Sequence, residues 1–338
     1  MILSIIIWII DNLRGIHRVN GIAADYIGWF QHLPDDSVTR AGGKGVSLSR
    51  MARAGLPVPK GFVVLENSFR AFLENHGGRD IARRVCCGID VHDSAALEIS
   101  SRELRDFVVS RPLPPAVEDA IAKAHGELKA ELVAIRSSAV AEDGEAASFA
   151  GQQESYLNVR HLSDVLLRVK ECWASFFSPR ALFYRAQMGD IADLNIAVVI
   201  QEMVQADKSG VMFTLDPVRG LREQFVVEAV FGLGESIVSG MITPDQYTLA
   251  RADGALVSEY ISEQTEAIVH DPENDGTRHS RIENAGRVLA DCDLRNLWAM
   301  GVQLESLFGR PQDIEWAIRG EKLYLLQSRP ITAMGTSV

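Results

Sequence analysis

Cysteine is scarce in this 338-residue sequence. There are four, Cys86, Cys87, Cys172 and Cys292, and none forms a CxxC pair. Zinc-ribbon and thioredoxin-type sites are therefore excluded, and the adjacent Cys86-Cys87 pair is poorly shaped for a structural disulfide. Reduced thiols, and with them a cytoplasmic location, are the expectation. A long basic run is missing too. Thirty-four Lys and Arg stand against 45 Asp and Glu, for a net charge of −11. That balance offers no phosphate track and argues against a general nucleic-acid binder. The only long apolar run, "MILSIIIWII", stops after ten residues at Asp11. A bilayer span needs about twenty, so no transmembrane span is expected. The run also has no basic segment before it and no clear small-residue cleavage site after it. Residues 1–21 are accordingly expected to be an extension outside the fold. Gly-x-Ser-x-Gly and Cys/His nucleophile patterns are absent, and the eight histidines are scattered. An acyl-enzyme hydrolase is not the expectation.

What remains is an ordinary globular composition, 47% hydrophobic and 23% charged, in a chain long enough for two domains or lobes. Helical spacing of Val46, Leu48, Met51 and Ala54 follows a glycine turn at residues 42–45, and Gly55 ends that helix. "LPVPKGFVVL" reads as extended chain entering a strand, and residues 66–76 as a helix. Residues 77–114 read as less regular. "PPAVEDAIAKAHGELKA" is a helix with Pro in its first turn. "LVAIRSS" is a strand running into the polar loop before "ESYLNV". Helices are expected near 162–177 and 179–188. From 196 onward "IAVVIQEMV", "SGVMFTLDP", "QFVVEAVFG", "DQYTLAR" and "ALVSEYI" read as successive strands. A charged loop over 270–280, a long helix over 283–308 and a closing hairpin complete the chain. The expected class is α+β, with one α/β lobe over 22–193 and a mainly antiparallel lobe with a long helix over 194–335.

The closing hairpin, "DIEWAIRGEKLYLLQSRP" at 313–330, carries polar residues amid apolar strands. Strand period puts Asp313 and Glu315 on one face and Ile314, Trp316 and Ile318 on the other. The same alternation lines Leu323, Leu325, Gln327 and Arg329 along one face of the second strand. Solvated edge charges would explain Asp313 and Glu315. So would a ligand site, with a carboxylate and an amide oxygen for a hard cation beside a guanidinium for phosphate. A regular two-residue loop at Gly320-Glu321 would pair Glu315 with Leu326 and turn Gln327 away. A shared ligand face therefore demands an odd-length loop or a bulge near Gly320.

Other segments are double-edged in the same way. Gly42-Gly43-Lys44-Gly45 is not a P-loop, since GxxxxGK[ST] is absent. A helix start with a Lys can hold an anion, and a plain glycine turn fits equally. Arg136 at a strand end offers a phosphate fork, or a partner for Glu142 or Asp143. "SFAGQQES" at 148–155 could close over a phosphate chain with its N–H groups, or be a surface turn. "VIQEMV" at 199–204 could read a base edge, or be an edge strand with polar alternation. Thr214, Asp216, Glu228 and Glu235 suit cation coordination or turns.

Taken in order, "GGKGVSLSRMARAGLPVPKGFVV", "VAIRSSAVAEDGEAASFAGQQESYLNV", "VVIQEMVQADKSGVMFTLDP", "GLGESIVSGMITPDQY" and "DIEWAI…LYLLQSRPIT" resemble the N-terminal nucleotide-binding part of the phosphoenolpyruvate synthase and pyruvate, phosphate dikinase family. Rifampicin phosphotransferase shares that part, and so does the ATP-binding subunit of phenylphosphate synthase. The resemblance covers roughly residues 35–333. It implies an ATP-grasp fold, with ATP and Mg²⁺ between two lobes. It implies phosphate contacts from Lys44, Arg136 and Arg329, and magnesium ligands in Glu315 and Gln327. It further implies a nucleotide-closing loop at Gly151 and Gln152 and an adenine strand at Gln201, Glu202, Met203 and Val204. The implied reaction transfers the β-phosphoryl of ATP to a histidine, giving AMP and phosphate. That histidine belongs to a Thr-x-His-x-Ala context that is nowhere in this sequence. The partner is then a histidine-bearing domain or subunit, with an acceptor of pyruvate, phenol or antibiotic type beyond it. The alternatives are an ATP-binding piece of a longer synthase or antibiotic phosphotransferase, and a non-catalytic nucleotide-sensing module.

Overall fold

A computed structural model describes residues 26–86, 93–139, 155–188, 195–238, 240–273, 276–283 and 286–331. The apolar start and Gly151 and Gln152 lie outside those residues. The described helices are α1 (Val38–Arg53), α2 (Glu66–Asn75), α3 (Gly78–Cys86), α4 (Ser94–Ser110), α5 (Pro115–Leu128), α6 (Leu162–Ser175), α7 (Pro179–Met188), α8 (Glu235–Val238) and α9 (Asp291–Phe308). The strands are β1 (Ile27–Trp29), β2 (Gly61–Val64), β3 (Val133–Ala139), β4 (Ser155–Val159), β5 (Ile196–Glu202), β6 (Lys208–Phe213), β7 (Gln224–Phe231), β8 (Asp245–Ala250), β9 (Leu256–Tyr260), β10 (Glu266–Asp271), β11 (Gly276–Arg281), β12 (Gln312–Arg319) and β13 (Lys322–Pro330).

Two antiparallel sheets organise the chain, one ordered β1-β2-β5-β3-β4 and the other β13-β12-β6-β7-β8-β9. Strand β5 explains why the first sheet has a core on each face. Its run "IAVVIQE" is apolar at consecutive positions, the pattern of a strand covered on both sides. Ile196, Val198 and Ile200 enter one core with Phe69, Phe72, Leu104, Val117 and Trp173 from the helices and Phe177 from the turn after α6. Ala197 and Val199 enter a second core with Val46, Leu48 and Met51 of α1. That second core also holds Met212, Phe225, Ile314, Trp316 and Leu325 of the other sheet, and Leu294, Leu297 and Leu304 of α9. Helix α1 is thus the shared filling between the two sheets.

Four local expectations change. The division expected at 193/194 precedes β5, yet β5 hydrogen-bonds to β2 and β3 in the first sheet. The described residues of 77–114 are largely helical, with Asp93 capping α4 by accepting the Ala95 and Ala96 amides. The described residues at either end of the charged stretch belong to the paired strands β10 and β11, with Ile268 opposite His279 and Val269 opposite Arg278. Helix α9 begins at Asp291 rather than 283. The Val288 amide donates to Asp245 Oδ2 and the Leu289 amide to the Tyr247 hydroxyl, so the preceding segment is tied to β8.

Candidate nucleotide site

The site begins at a break in α1. Gly42 has φ 69° and ψ 169°, outside helical space, and a Cβ there would sit 2.3 Å from both Ser138 O and Ser138 Oγ. The expected glycine turn is therefore a one-residue kink inside a helical segment. Ser138 of β3 holds it. Its hydroxyl donates to Ala41 O at 2.9 Å and accepts the Gly45 amide at 3.2 Å. Lys44 follows the kink and donates from Nζ to Ser137 O at 3.0 Å. A fresh helix start thus lies beside β3 with a lysine in its first turn and its Gly45 amide held by Ser138.

On β3, Val133 and Ile135 face the first core, so alternation turns Arg136 to the side of the second sheet. Arg136 crosses to the terminal hairpin. Its NH1 donates to Leu326 O at 3.3 Å and lies 3.5 Å from Glu315 Oε2. Glu142 and Asp143, its partners under the alternative reading, lie outside the described residues.

The hairpin register decides how the polar side chains meet. The turn at Gly320-Glu321 is a plain two-residue one, with Arg319 opposite Lys322. The expected irregularity near Gly320 is not there. It lies further along, where Trp316 pairs with Leu325 but Glu315 pairs with Gln327, leaving Leu326 as the extra residue of a β-bulge. The four residues 323, 325, 327 and 329 therefore do not share a face, contrary to strict alternation. Leu323 and Leu325 join Trp316 and Ile318 against the second core. Past the bulge, Gln327 and Arg329 stand opposite Glu315 and Asp313 on the other face. The bulged residue's carbonyl is the one that accepts Arg136.

Arg329 Nε donates to Asp313 Oδ2 at 2.8 Å. Burial pushes the Asp313 carboxyl up from its ordinary range; the Arg329 charge opposes this and Glu315 adds to it. The face continues across the sheet as Gln327, Glu315, Val211, Glu228 and Gln246 in one cross-strand row. Gln246 Nε2 donates to Glu228 at 3.4 Å. Thr214 and Asp216 are structural here: Thr214 Oγ1 donates to Glu305 and accepts from the Gln312 amide, and Asp216 accepts two amides of its own turn.

Of the segment 201–204, Gln201 is 1% exposed, and its Nε2 has no hydrogen-bond partner among the described residues. Glu202 is exposed, and its amide donates to Lys60 O. The Met203 amide donates to Leu132 O. These two N–H groups are committed within the protein, and the Gln201 side-chain amide is a spare donor beside them. A buried donor without a partner is costly unless a ligand supplies one. Sequence reasoning missed Ser138 and the Leu326 carbonyl. Asp313 was placed on the face of Glu315 by its spacing of two, and its pairing with Arg329 came only with the register.

Residues 38–337 match the model of a family described as "Pyruvate phosphate dikinase, AMP/ATP-binding domain". The chain belongs to that family. Membership covers every site residue described above. The chain is 38% identical over 329 residues to the probable phosphoenolpyruvate synthase of Methanocaldococcus jannaschii, covering 94% of this chain and 28% of that protein. It is 42% identical over 313 residues to the probable phosphoenolpyruvate synthase of Archaeoglobus fulgidus, covering 90% and 41%. It is 40% identical over 306 residues to a rifampicin phosphotransferase of a Streptomyces species, covering 88% and 35%. The chain thus spans less than half the length of these relatives. The D-alanyl-alanine synthetase A structure from Vibrio cholerae is 13% identical, covering 69% of this chain and 54% of that one, with a TM-score of 0.26. That likeness is too slight to carry an argument. Among the described residues no helix is long and apolar enough to cross a membrane.

Proposed function

We propose that this chain is the ATP-binding part of a dikinase-type phosphotransferase. It holds Mg–ATP between its two sheets in an ATP-grasp arrangement and presents the β-phosphoryl group to a histidine on a separate domain or subunit. AMP and phosphate are the other products. The observation that carries the reading is the bulged pairing of Glu315 with Gln327, met by Arg136 from the opposite sheet.

The donor set suits magnesium. A carboxylate and an amide oxygen on facing positions are hard oxygen ligands, and Mg²⁺ takes one or two protein groups plus phosphate oxygens. Magnesium, when bound, neutralises phosphate charge as a Lewis acid.

The protein's own groups do the rest. Lys44, at a helix start beside β3, places a point charge and the positive end of the helix dipole near the phosphates. Arg136 and Arg329 bring planar forks from opposite sides to the equatorial oxygens, where negative charge builds during transfer. Gln201 offers its spare amide donor to the base. Gly151 and Gln152 would close over the nucleotide. Such catalysis is positioning and electrostatics, with the covalent chemistry on the partner histidine. The relatives' greater length supports placing that histidine, and an acceptor of pyruvate, phenol or antibiotic type, outside this chain. A cytoplasmic setting, where thiols stay reduced, goes with this reading.

Incubating the chain and its histidine-bearing partner with β-labelled ATP tests the reading. Label should pass to the partner histidine with the wild-type chain and be lost with Glu315→Ala or Arg136→Ala. Undiminished labelling with either variant would refute the assignment.

A further inference from the structure

Each cation that the proposed function gives to phosphate already has an acceptor inside the protein. Lys44 holds Ser137 O, Arg329 holds Asp313, and Arg136 lies against Glu315 and Leu326 O. The two arginine pairs differ in kind. Arg329–Asp313 is a hydrogen-bonded contact at 2.8 Å, whereas Arg136–Glu315 is open at 3.5 Å, beyond the length of a charge-assisted hydrogen bond. Glu315 is one-third exposed and Arg136 only 11%, so the carboxylate is the member that an incoming cation can reach. Arg136 also has a second hold. Its bond to the bulge carbonyl of Leu326 does not depend on Glu315 and keeps the guanidinium at the hairpin.

We infer that the Arg136–Glu315 pair is an exchangeable contact that couples cation binding to phosphate binding at this site. The inference rests on the proposed function, from which it takes Glu315 as the cation ligand and Arg136 as the phosphate ligand. A divalent cation arriving alone must displace a guanidinium from Glu315 and then sit beside its positive charge. A polyphosphate arriving alone meets an arginine already neutralised, with a carboxylate next to it. When both arrive, each takes the partner that the other has vacated, and neither charge is left unpaired. Linkage makes the effect reciprocal, so whatever one ligand gains from the other is gained in return. The bulge at Leu326 makes the exchange possible. Without the extra residue, Gln327 would face the core and Arg136 would lose the carbonyl that anchors it through the swap.

The coupling can be read from single-ligand affinities, which avoids the metal–nucleotide complex that forms in free solution. Mn²⁺ binding to the whole chain without nucleotide is measured by the loss of the free-ion paramagnetic signal. Binding of a fluorescent, non-hydrolysable ATP analogue is measured separately in excess EDTA. Arg136→Gln should tighten Mn²⁺ binding about fivefold, the scale of one partly exposed ion pair. Arg136→Lys, which keeps the charge, should leave it near the wild-type value. Glu315→Gln should tighten metal-free nucleotide binding by a similar factor, although it removes a proposed metal ligand. Measurable binding that either glutamine variant leaves unchanged or weakens would overturn the inference and leave the proposed function standing. If neither Mn²⁺ nor nucleotide bound any form of the chain, the proposed function would fall with it. Should Arg136→Gln fail to fold, the Glu315→Gln result alone decides.

Discussion

Replacing Gly42 by Ala tests whether the kink in α1 is the device that presents Lys44. Two costs combine. At φ 69° and ψ 169° the backbone occupies a region that is essentially Gly-only, worth about 1–3 kcal/mol for an L side chain. The new methyl would also lie 2.3 Å from the Ser138 carbonyl oxygen, more than an ångström inside ordinary contact. That oxygen belongs to β3, flanked by β5 and β4, and cannot retreat. Together these give a loss of roughly 3–5 kcal/mol, the range of severe overpacking at a strained position. Gly320→Ala is the matched control. It too has a positive φ, 61°, but nothing lies within 4 Å of the new Cβ, so only about 1 kcal/mol should be lost. Urea unfolding of the three proteins gives the comparison. A Gly42→Ala midpoint equal to that of Gly320→Ala would show that Ser138 does not hold the kink. The accompanying measurement is nucleotide affinity, which should fall in Gly42→Ala and stay at the wild-type level in Gly320→Ala.

Further outcomes are expected elsewhere. Asp313 holds its proton more tightly folded than unfolded, so its contribution to stability is present below the ordinary value of 3.8 and is lost as pH rises through the raised one. The unfolding midpoint of Asp313→Asn should therefore move in the variant's favour, relative to wild type, between about pH 4 and pH 7; a pH-independent difference would contradict the buried-carboxyl account. Asn158 is fully buried at φ 56°, donates to Gly276 O at 3.0 Å and accepts from Gln205 at 2.8 Å. Asn158→Ala should cost about 1–3 kcal/mol and speed amide exchange across β10 and β11, since its side chain ties that hairpin to the first sheet. Gly126 lies in α5 with open space at its Cβ, so Gly126→Ala should raise stability by about 0.5–1 kcal/mol in the same urea assay.

Much of the local architecture was legible because local rules produce it. The apolar period of α1 and its end at Gly55, the proline-started α5, the helices on either side of Pro179 and the hairpin over 312–330 all follow from spacing and caps. Helix α4 and the β10–β11 hairpin were less visible. Helix α4 alternates charge with only four buried side chains, Leu97, Ser101, Leu104 and Val108. In the hairpin, polar and charged residues occupy the exposed positions on both strands. Weak periodicity leaves such segments to be settled by what they dock against.

By itself, the sequence determined which side chains the site would have: a lysine after a glycine turn, an arginine ending one strand, and a carboxylate and an amide on a closing ribbon. Those are matters of residue type and near-neighbour order. Which of them meet was decided only by the tertiary structure. The parity of Glu315 and Gln327 turns on one extra residue at Leu326, placed there by cross-strand hydrogen bonds and by the leucines that must stay in the core. Arg136 reaches Glu315 across 179 positions of chain because β5 joins the first sheet and α1 fills the space between the sheets. Register and long-range contact depend on which face is buried against what, and that is a property of the assembled molecule.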